Sequence, residues 1–319
     1  MRVLVTGGAG FIGSHLTERL LREGHDVRVY DNFSTGQRQF LEIAKADEKF
    51  ELIEADLLDE AKLDRSMKGV EFVWHLAANA DVRFGTDRPR RDLEQNTIVT
   101  SNVLESMRRN GVNRIAFSST GSIYGEADII PTPEDCPMPI QTSLYGASKI
   151  ACEGLISAYC EGFGMRGWIF RFVSILGERY THGHIFDFYR RLLDNPNNLH
   201  ILGNGRQKKS YLYVQDCLEA MFKAVDSASD VVNVLNLGTD EYIEVNQSVD
   251  VITGHLGVTP CRTYTGGERG WIGDNPFIFL KCERMRSLGW QPQHNIREGI
   301  LKTLKWLEQN RWVLEARGG

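Results

Sequence analysis

The sequence predicts an α/β protein: a doubly wound parallel sheet with a smaller mixed α/β part. Three observations predict it. Short apolar runs alternate with longer helical stretches through the first half of the chain, the rhythm of successive βαβ crossovers. The runs at 3–5 and 114–118 show little polar alternation, as strands covered on both faces do. A glycine-rich turn stands between the first strand-like run and the first helix-like one.

Taken in order, strands are expected at 3–5, 27–30, 50–54, 72–76, 114–118 and 168–173, and helices at 12–22, 59–67, 96–109 and 145–161. Right-handed crossovers place the helices on the sheet faces. After about residue 174 the rhythm changes. The polar segment GERYTHGH precedes a helix over 185–193, then a loop, NPNNLHILGNGRQ. Helices follow over 214–225, 245–255 and 296–309, with an apolar strand at 233–237. The expected division is 1–173 and 174–319, with 214–238 returning to the first part.

Hydrophobic residues make up 42% and charged residues 25%, which allows a sizeable core. A net charge of -5 argues against a nucleic-acid-binding surface. No two of the cysteines at 136, 152, 160, 217, 261 and 282 have C-x-x-C spacing, so reduced thiols are expected, not disulfides or zinc. MRVLVTGG runs directly into strand and turn, which leaves no room for a signal peptide. There is also no apolar run of the ~18 residues a membrane helix needs. A cytoplasmic, membrane-free protein is expected.

In TGGAGFIG, Gly7, Gly10 and Gly13 lie between strand and helix. Glycines there allow a tight turn, close approach of backbone to a pyrophosphate, and close helix–sheet packing. The helix N-terminus adds N–H groups and partial positive charge. The second strand ends at Asp31, where a carboxylate accepts from adenosine ribose hydroxyls and repels a 2′-phosphate. NAD is therefore expected over NADP, with Arg38 the one nearby base against it. The plainer reading is a bare turn with Asp31 capping a strand. Asp56 ends the third strand, where it can meet adenine. Leu76, Ala77 and Ala78 end the fourth, where small residues let a cofactor lie against backbone. His75 is expected to be structural.

Tyr145 and Lys149 stand at i and i+4, one face of a helix. A phenol of ordinary pKa about 10 is a poor base at neutral pH. An adjacent ammonium, helped by an oxidised nicotinamide, stabilises the phenolate, which can then take a hydroxyl proton. Thr120 ends the strand at the crevice edge of the sheet, where ligands of open α/β sheets bind. Its hydroxyl can bridge to the reacting group. Ser118, Ser119 and Ser122 are local rivals for that role.

These motifs, with DNFSTG, ADL, HLAA, SSTGSIYG, YGASK, GNGRQKKSYLYVQDC and LGWQP, span nearly the whole chain. On them the chain resembles the extended short-chain dehydrogenase/reductases, specifically the NAD-dependent sugar epimerase/dehydratase family. The resemblance implies a Rossmann-type NAD-binding domain over 1–173 and a nucleotide-sugar-binding domain over 174–319. It implies a catalytic set of Thr120, Tyr145 and Lys149. Around the cofactor it implies Gly7, Gly10, Phe11, Ile12, Gly13, Asp31, Asn32, Ser34, Asp56, Leu57, Leu76, Ala77, Ala78 and Asn96, with Tyr145 and Lys149. For the sugar nucleotide it points to Arg83, Thr120, Ser122, Ser174, Lys209 and Arg269. A homodimer through helices 96–109 and 145–161 is common in the family.

Two departures from the family pattern matter. Lys209 stands where Arg is usual; it is a point charge where Arg grips phosphate bidentately. Ser174 replaces the Asn of R-x-x-N-x-x-G, which opens room in the pocket. His182 and His184 lack a carboxylate or cysteine partner at metal-binding spacing, so no metal is expected. Dehydratases of the family carry Asp-Glu directly after the threonine, the acid and base that water loss needs. Here those positions are Gly121 and Ser122, and Glu126 lies beyond Tyr124. The expected reaction is epimerisation of a nucleotide-diphosphate sugar, inversion at C4 of a UDP-sugar through a 4-keto intermediate. The rivals are a keto-sugar reductase, a dehydratase of the same family, and a non-catalytic dinucleotide-binding protein.

Overall fold

The computed structural model describes residues 1–79, 87–137, 140–270 and 277–316. β1 (Arg2–Thr6) buries four successive residues, as a strand covered on both faces must. The glycine turn leads into α1 (Phe11–Arg22), which buries Leu16, Leu20 and Leu21. β2 (Asp26–Asp31), β3 (Phe50–Glu54), α2 (Glu60–Ser66) and β4 (Phe72–His75) follow. Next is one helical run in three parts: α3 (Pro89–Asp92), a π-helical turn (Leu93–Ile98) and α4 (Val99–Asn110). It starts earlier than the expected residue 96, because Pro89 is preorganised for a first helical turn. β5 (Arg114–Thr120), α5 (Leu144–Phe163) and β6 (Arg166–Phe172) complete the series. Ser143 caps α5, its hydroxyl accepting the Gly146 N–H at 3.0 Å.

β7 (Ser174–Leu176), α6 (His184–Asp194), β8 (Asn198–Ile201), β9 (Lys208–Lys209), β10 (Tyr211–Tyr213) and α7 (Val214–Ser227) come next. β11 (Val232–Leu237), β12 (Ile243–Glu244), α8 (Val245–Leu256), β13 (Cys261–Tyr264), α9 (Glu283–Ser287), α10 (Ile296–Gln309) and α11 (Trp312–Ala316) end the chain. The segment expected as a loop after α6 contains β8, which pairs in parallel with β13. β7 pairs in parallel with β10, and β9 antiparallel with β12.

Among the described residues, the main sheet has seven strands in the order β11-β6-β5-β4-β1-β2-β3. The pairs β1–β2, β1–β4, β2–β3 and β4–β5 are parallel. The chain grows outward from β1 to β3, then resumes on the other side at β4. Strand order thus reverses between β1 and β4, the place where sheets of this kind open a crevice at their carboxyl ends. Leu4, Val73, Ile115 and Ile169 from the strands pack with Val103 and Met107 of α4 and Cys152 and Ile156 of α5.

The chain forms two compact units. The first comprises Met1–Ile123, Ser143–Arg171 and Lys223–Leu235, the second Tyr124–Thr142, Phe172–Phe222 and Asn236–Gly319. The grouping therefore alternates along the chain, where the sequence suggested a break at 173 with 214–238 returning to the first part. Residues 124–142 group with the second unit because their partners are there: Tyr124 donates to the Asn236 side chain at 2.9 Å, and Glu134 accepts the Asn236 N–H at 2.9 Å. No helix among the described residues is long and apolar enough to cross a membrane.

Candidate active site

The turn after β1 is a cradle in which Gly7 and Gly13 admit no side chain. Gly7 has φ 70°, and a Cβ on it would lie 2.7 Å from the Ala77 N. A Cβ on Gly13 would lie 2.1 Å from the Gly7 carbonyl oxygen. α1 starts after Gly10 with no side chain capping its first amides and no acid in its first turn. Phe11, Ile12 and Gly13 occupy that first turn. Such a helix end attracts an anion. Gly13→Ala is expected to cost ~1–3 kcal/mol from overpacking and to weaken NAD binding. Urea midpoints with and without NAD check this; a variant that NAD stabilises as much as wild type contradicts it.

Asp31 ends β2 almost fully buried. Its Oδ2 accepts the Ala9 N–H at 2.9 Å and its Oδ1 the Phe33 N–H at 2.8 Å. Burial raises its carboxyl above the ordinary value, and these two N–H bonds oppose the rise. Each oxygen keeps a further lone pair for a ribose hydroxyl. Asn32 donates to Asp56 Oδ2 at 2.8 Å, and its own side-chain oxygen accepts the Ser34 N–H at 3.0 Å. Leu57 is buried in the core. Leu76 donates its N–H to the Thr6 carbonyl at 3.1 Å, and Ala77 to the Thr6 hydroxyl at 3.3 Å. A cavity of about 630 Å³ opens here, lined by Asn32, Ser34, Asp56 and Ala78 among others. That size suits a nucleotide. Thr35, Asn79, Arg88 and Arg91 also line it and were not anticipated. Arg38 is paired with Glu54 at 2.6 Å and lies over the Phe33 ring, so its charge is already engaged.

Thr120 is the last residue of β5. It is hydrogen-bonded to the Tyr145 phenol. It also donates to Ser122 Oγ at 3.2 Å and accepts the Ser122 N–H at 3.1 Å. Two of the three rival hydroxyls point elsewhere: Ser118 to the His75 carbonyl at 3.4 Å, Ser119 to Glu153. Tyr145 lies on the first turn of α5, half-buried. Lys149, one turn on, is 1% exposed. Its ammonium donates to the Ser118 carbonyl at 2.7 Å and stands 4.6 Å over the Phe117 ring. Burial lowers the ammonium to about 8, against the opposing charges of Cys152, Glu153 and Asp92. Burial raises the Tyr145 phenol to about 12; Thr120 opposes this and Asp92 adds to it.

Asn96 sits buried in the π-helical turn. Its side chain accepts the Asn79 N–H and donates to Ser148 Oγ, both at 2.8 Å. His75 is fully buried between the hydroxyls of Thr6 and Thr100, at 2.7 and 3.0 Å, and burial lowers it to about 3. It is a neutral strut.

Ser174, Lys209 and Arg269 belong to the second unit. Ser174 is exposed at the start of β7. Lys209 is half-buried in β9, and its charge helps burial to lower His184 to about 3. His184 is bonded to the Tyr211 hydroxyl. Arg269 forms an ion pair with Glu126. Arg83 lies outside the described residues. Among the described residues no three His, Cys, Asp or Glu side chains converge as metal ligands would.

Comparison with known proteins bears on these features. Residues 3–238 match the model of the NAD dependent epimerase/dehydratase family. The UDP-glucose 4-epimerase of Mycolicibacterium smegmatis is 33% identical over 313 residues, 96% of this chain and 98% of that protein. The crystal structure of UDP-glucose 4-epimerase with UDP-glucose from Thermotoga maritima is similar at TM-score 0.87 and 30% identity, covering 98% of this chain and 100% of that one. That of the Thermus thermophilus enzyme in complex with NAD gives TM-score 0.85 and 32% identity, covering 97% and 99%.

Proposed function

The chain belongs to the NAD dependent epimerase/dehydratase family, and from that premise we propose that it is an NAD-dependent UDP-sugar epimerase, like UDP-glucose 4-epimerase, inverting C4 through a 4-keto intermediate. One observation carries the choice of reaction: Thr120 is bonded to the Tyr145 phenol, and the residues after it are Gly121 and Ser122, neither of them an acid. Proton removal is provided for. Expulsion of water is not, since the nearest carboxylate in sequence, Glu126, is paired with Arg269.

The first unit fits the cofactor. The glycine cradle and α1 N-terminus receive the pyrophosphate; Asp31 receives the adenosine ribose; Asn32, Ser34 and Asp56 line the adenosine cavity. NAD, when bound, supplies a positive charge and takes and returns the C4 hydrogen with its two electrons. Tyr145 accepts the C4 hydroxyl proton, Thr120 orients that hydroxyl, and Lys149 holds the end of β5 through the Ser118 carbonyl. After the keto sugar turns over, Tyr145 returns its proton. Arg269 and Lys209 of the second unit are assigned to the diphosphate, with Ser122 and Ser174 toward the sugar.

The proposal includes a cytoplasmic enzyme, supported by six free cysteines, five of them buried. It also includes a homodimer built on the first unit's helices. Leu93, Ile98, Leu144 and Phe163 support this, each exposed by 37% or more. The deciding experiment incubates the protein and NAD with UDP-glucose, UDP-N-acetylglucosamine and UDP-glucuronate, and follows products by NMR. A C4 epimer of one of them is expected. Water loss, or net consumption of reduced cofactor, overturns the reading.

A further inference from the structure

Beside the reacting pair lies a buried carboxylate that no motif singled out. Asp92, the last residue of α3, is 1% exposed. Its Oδ1 accepts the side-chain amide of Asn79 at 2.8 Å and that of Asn96 at 3.4 Å. Asn96 donates to Ser148 Oγ at 2.8 Å, and Ser148 donates to the Tyr145 carbonyl at 2.8 Å. The π-helical turn also directs the Asn96 carbonyl toward the Thr100 hydroxyl at 2.6 Å and the Cys152 thiol at 3.3 Å. A π-helical turn is often found at functional sites. Here it joins Asp92 to the helix that carries Tyr145 and Lys149.

Building on the epimerase reading, we infer that Asp92 is a positioning residue for Tyr145 and Lys149: it anchors the Asn96–Ser148 bridge to their helix and supplies a fixed negative charge against which Lys149 stays an ammonium. A cation so deeply buried needs compensating charge. Among the described residues, several elements bring groups to Lys149. β5 offers the Ser118 carbonyl and the Phe117 ring. β4 offers His75, which burial keeps neutral. Its own helix offers Cys152, whose thiol burial raises, and Glu153, which is shared with Arg171 and Ser119. α3 offers Asp92.

The charge of Asp92 raises both Lys149 and Tyr145. Removing it moves both downward. The phenolate forms at lower pH, and the ammonium is lost at lower pH. The bell of kcat/KM against pH, whose limbs belong to the coupled pair, slides to acid on both sides.

The test compares wild type with Asp92→Asn across pH on UDP-glucose. In parallel, tyrosine labelled at Cζ is titrated by NMR in NAD-loaded protein without sugar, the Tyr145 signal being the one lost in Tyr145→Phe. In Asp92→Asn both limbs are expected to fall by ~0.5–1 pH unit, with the Cζ midpoint moving alongside the acid limb. Ser148→Ala, which cuts the bridge and keeps the charge, lowers kcat with the limbs in place. A slower Asp92→Asn with unmoved limbs and an unmoved Cζ titration overturns the inference. Should Asp92→Asn not fold, Asp92→Ser removes the same charge and is read the same way. Should wild type convert no sugar, the epimerase reading fails, while the Cζ titration still decides the role of Asp92.

Discussion

Tyr145→Phe is expected to keep its fold and its bound NAD while epimerisation of UDP-glucose falls ~10³-fold or more, within the range for losing a positioned acid–base group. In the proposed cycle the phenol oxygen carries the proton in both half-reactions, so no step of that cycle escapes its loss. The ring remains, so α5 packs as before. The phenol starts high, at about 12, and is a neutral donor throughout the physiological range until NAD adds its charge. Activity should therefore rise with pH on the acid side, and the Tyr145 ionisation should fall when NAD is added. Thr120→Val removes the phenol's hydrogen-bond partner and should cost ~10²-fold, because it weakens one proton path and leaves the base. Combined with Tyr145→Phe it should cost little more, since both act through one oxygen. NMR of the sugar and the absorbance of gel-filtered protein give rate and bound cofactor separately. A Tyr145→Phe protein with most of its rate intact, or double losses that simply add, would place the base elsewhere.

The proposed cofactor half of this site is legible in the sequence because its chemistry is local. A Cβ on Gly7 would lie within 3 Å of the Ala77 backbone and one on Gly13 within 3 Å of the Gly7 carbonyl, so both positions announce themselves as glycine. Tyr145 and Lys149 share a helix face by spacing alone. What stayed hidden depends on partners distant in the chain. Three hydroxyls compete with Thr120 in sequence, and only the fold shows Ser119 turned to Glu153 and Ser118 to the His75 carbonyl. Pro89 marks the opening of the helical run, but the placing of Asp92 and the π-helical turn that brings Asn96 to Ser148 rest on contacts made only in the fold. β7, β9, β10 and β12 are two or three residues long, too short for any alternation to register. β8 lies in a stretch rich in Asn and Gly that reads as loop, and becomes a strand through pairing with β13. Spacing brings Tyr145 and Lys149 to one face, but only the fold shows that the Ser118 carbonyl receives one of the ammonium's N–H bonds.

Glu153→Gln should destabilise the protein by about 3–5 kcal/mol, the cost of breaking a buried ion pair from one side. The two side chains are 7% and 5% exposed, and Arg171 grips both carboxylate oxygens, at 2.7 Å from Nη2 and 3.2 Å from Nε. With Gln in place the guanidinium is left buried with half its compensation. Arg171→Leu should cost as much by stranding the carboxylate. Replacing both, as Glu153→Met with Arg171→Leu, should recover most of the stability, because apolar packing avoids the desolvation of two charges. Urea midpoints of the three variants test this, and single variants as stable as wild type would contradict it. The pair is then best explained by position. It joins α5, one turn beyond Lys149, to β6, and through the Ser119 hydroxyl to the residue before Thr120. The double variant separates the two roles. Its stability should return, but its rate should not, since Ser119 loses its acceptor and Lys149 loses one of the negative charges that hold its proton.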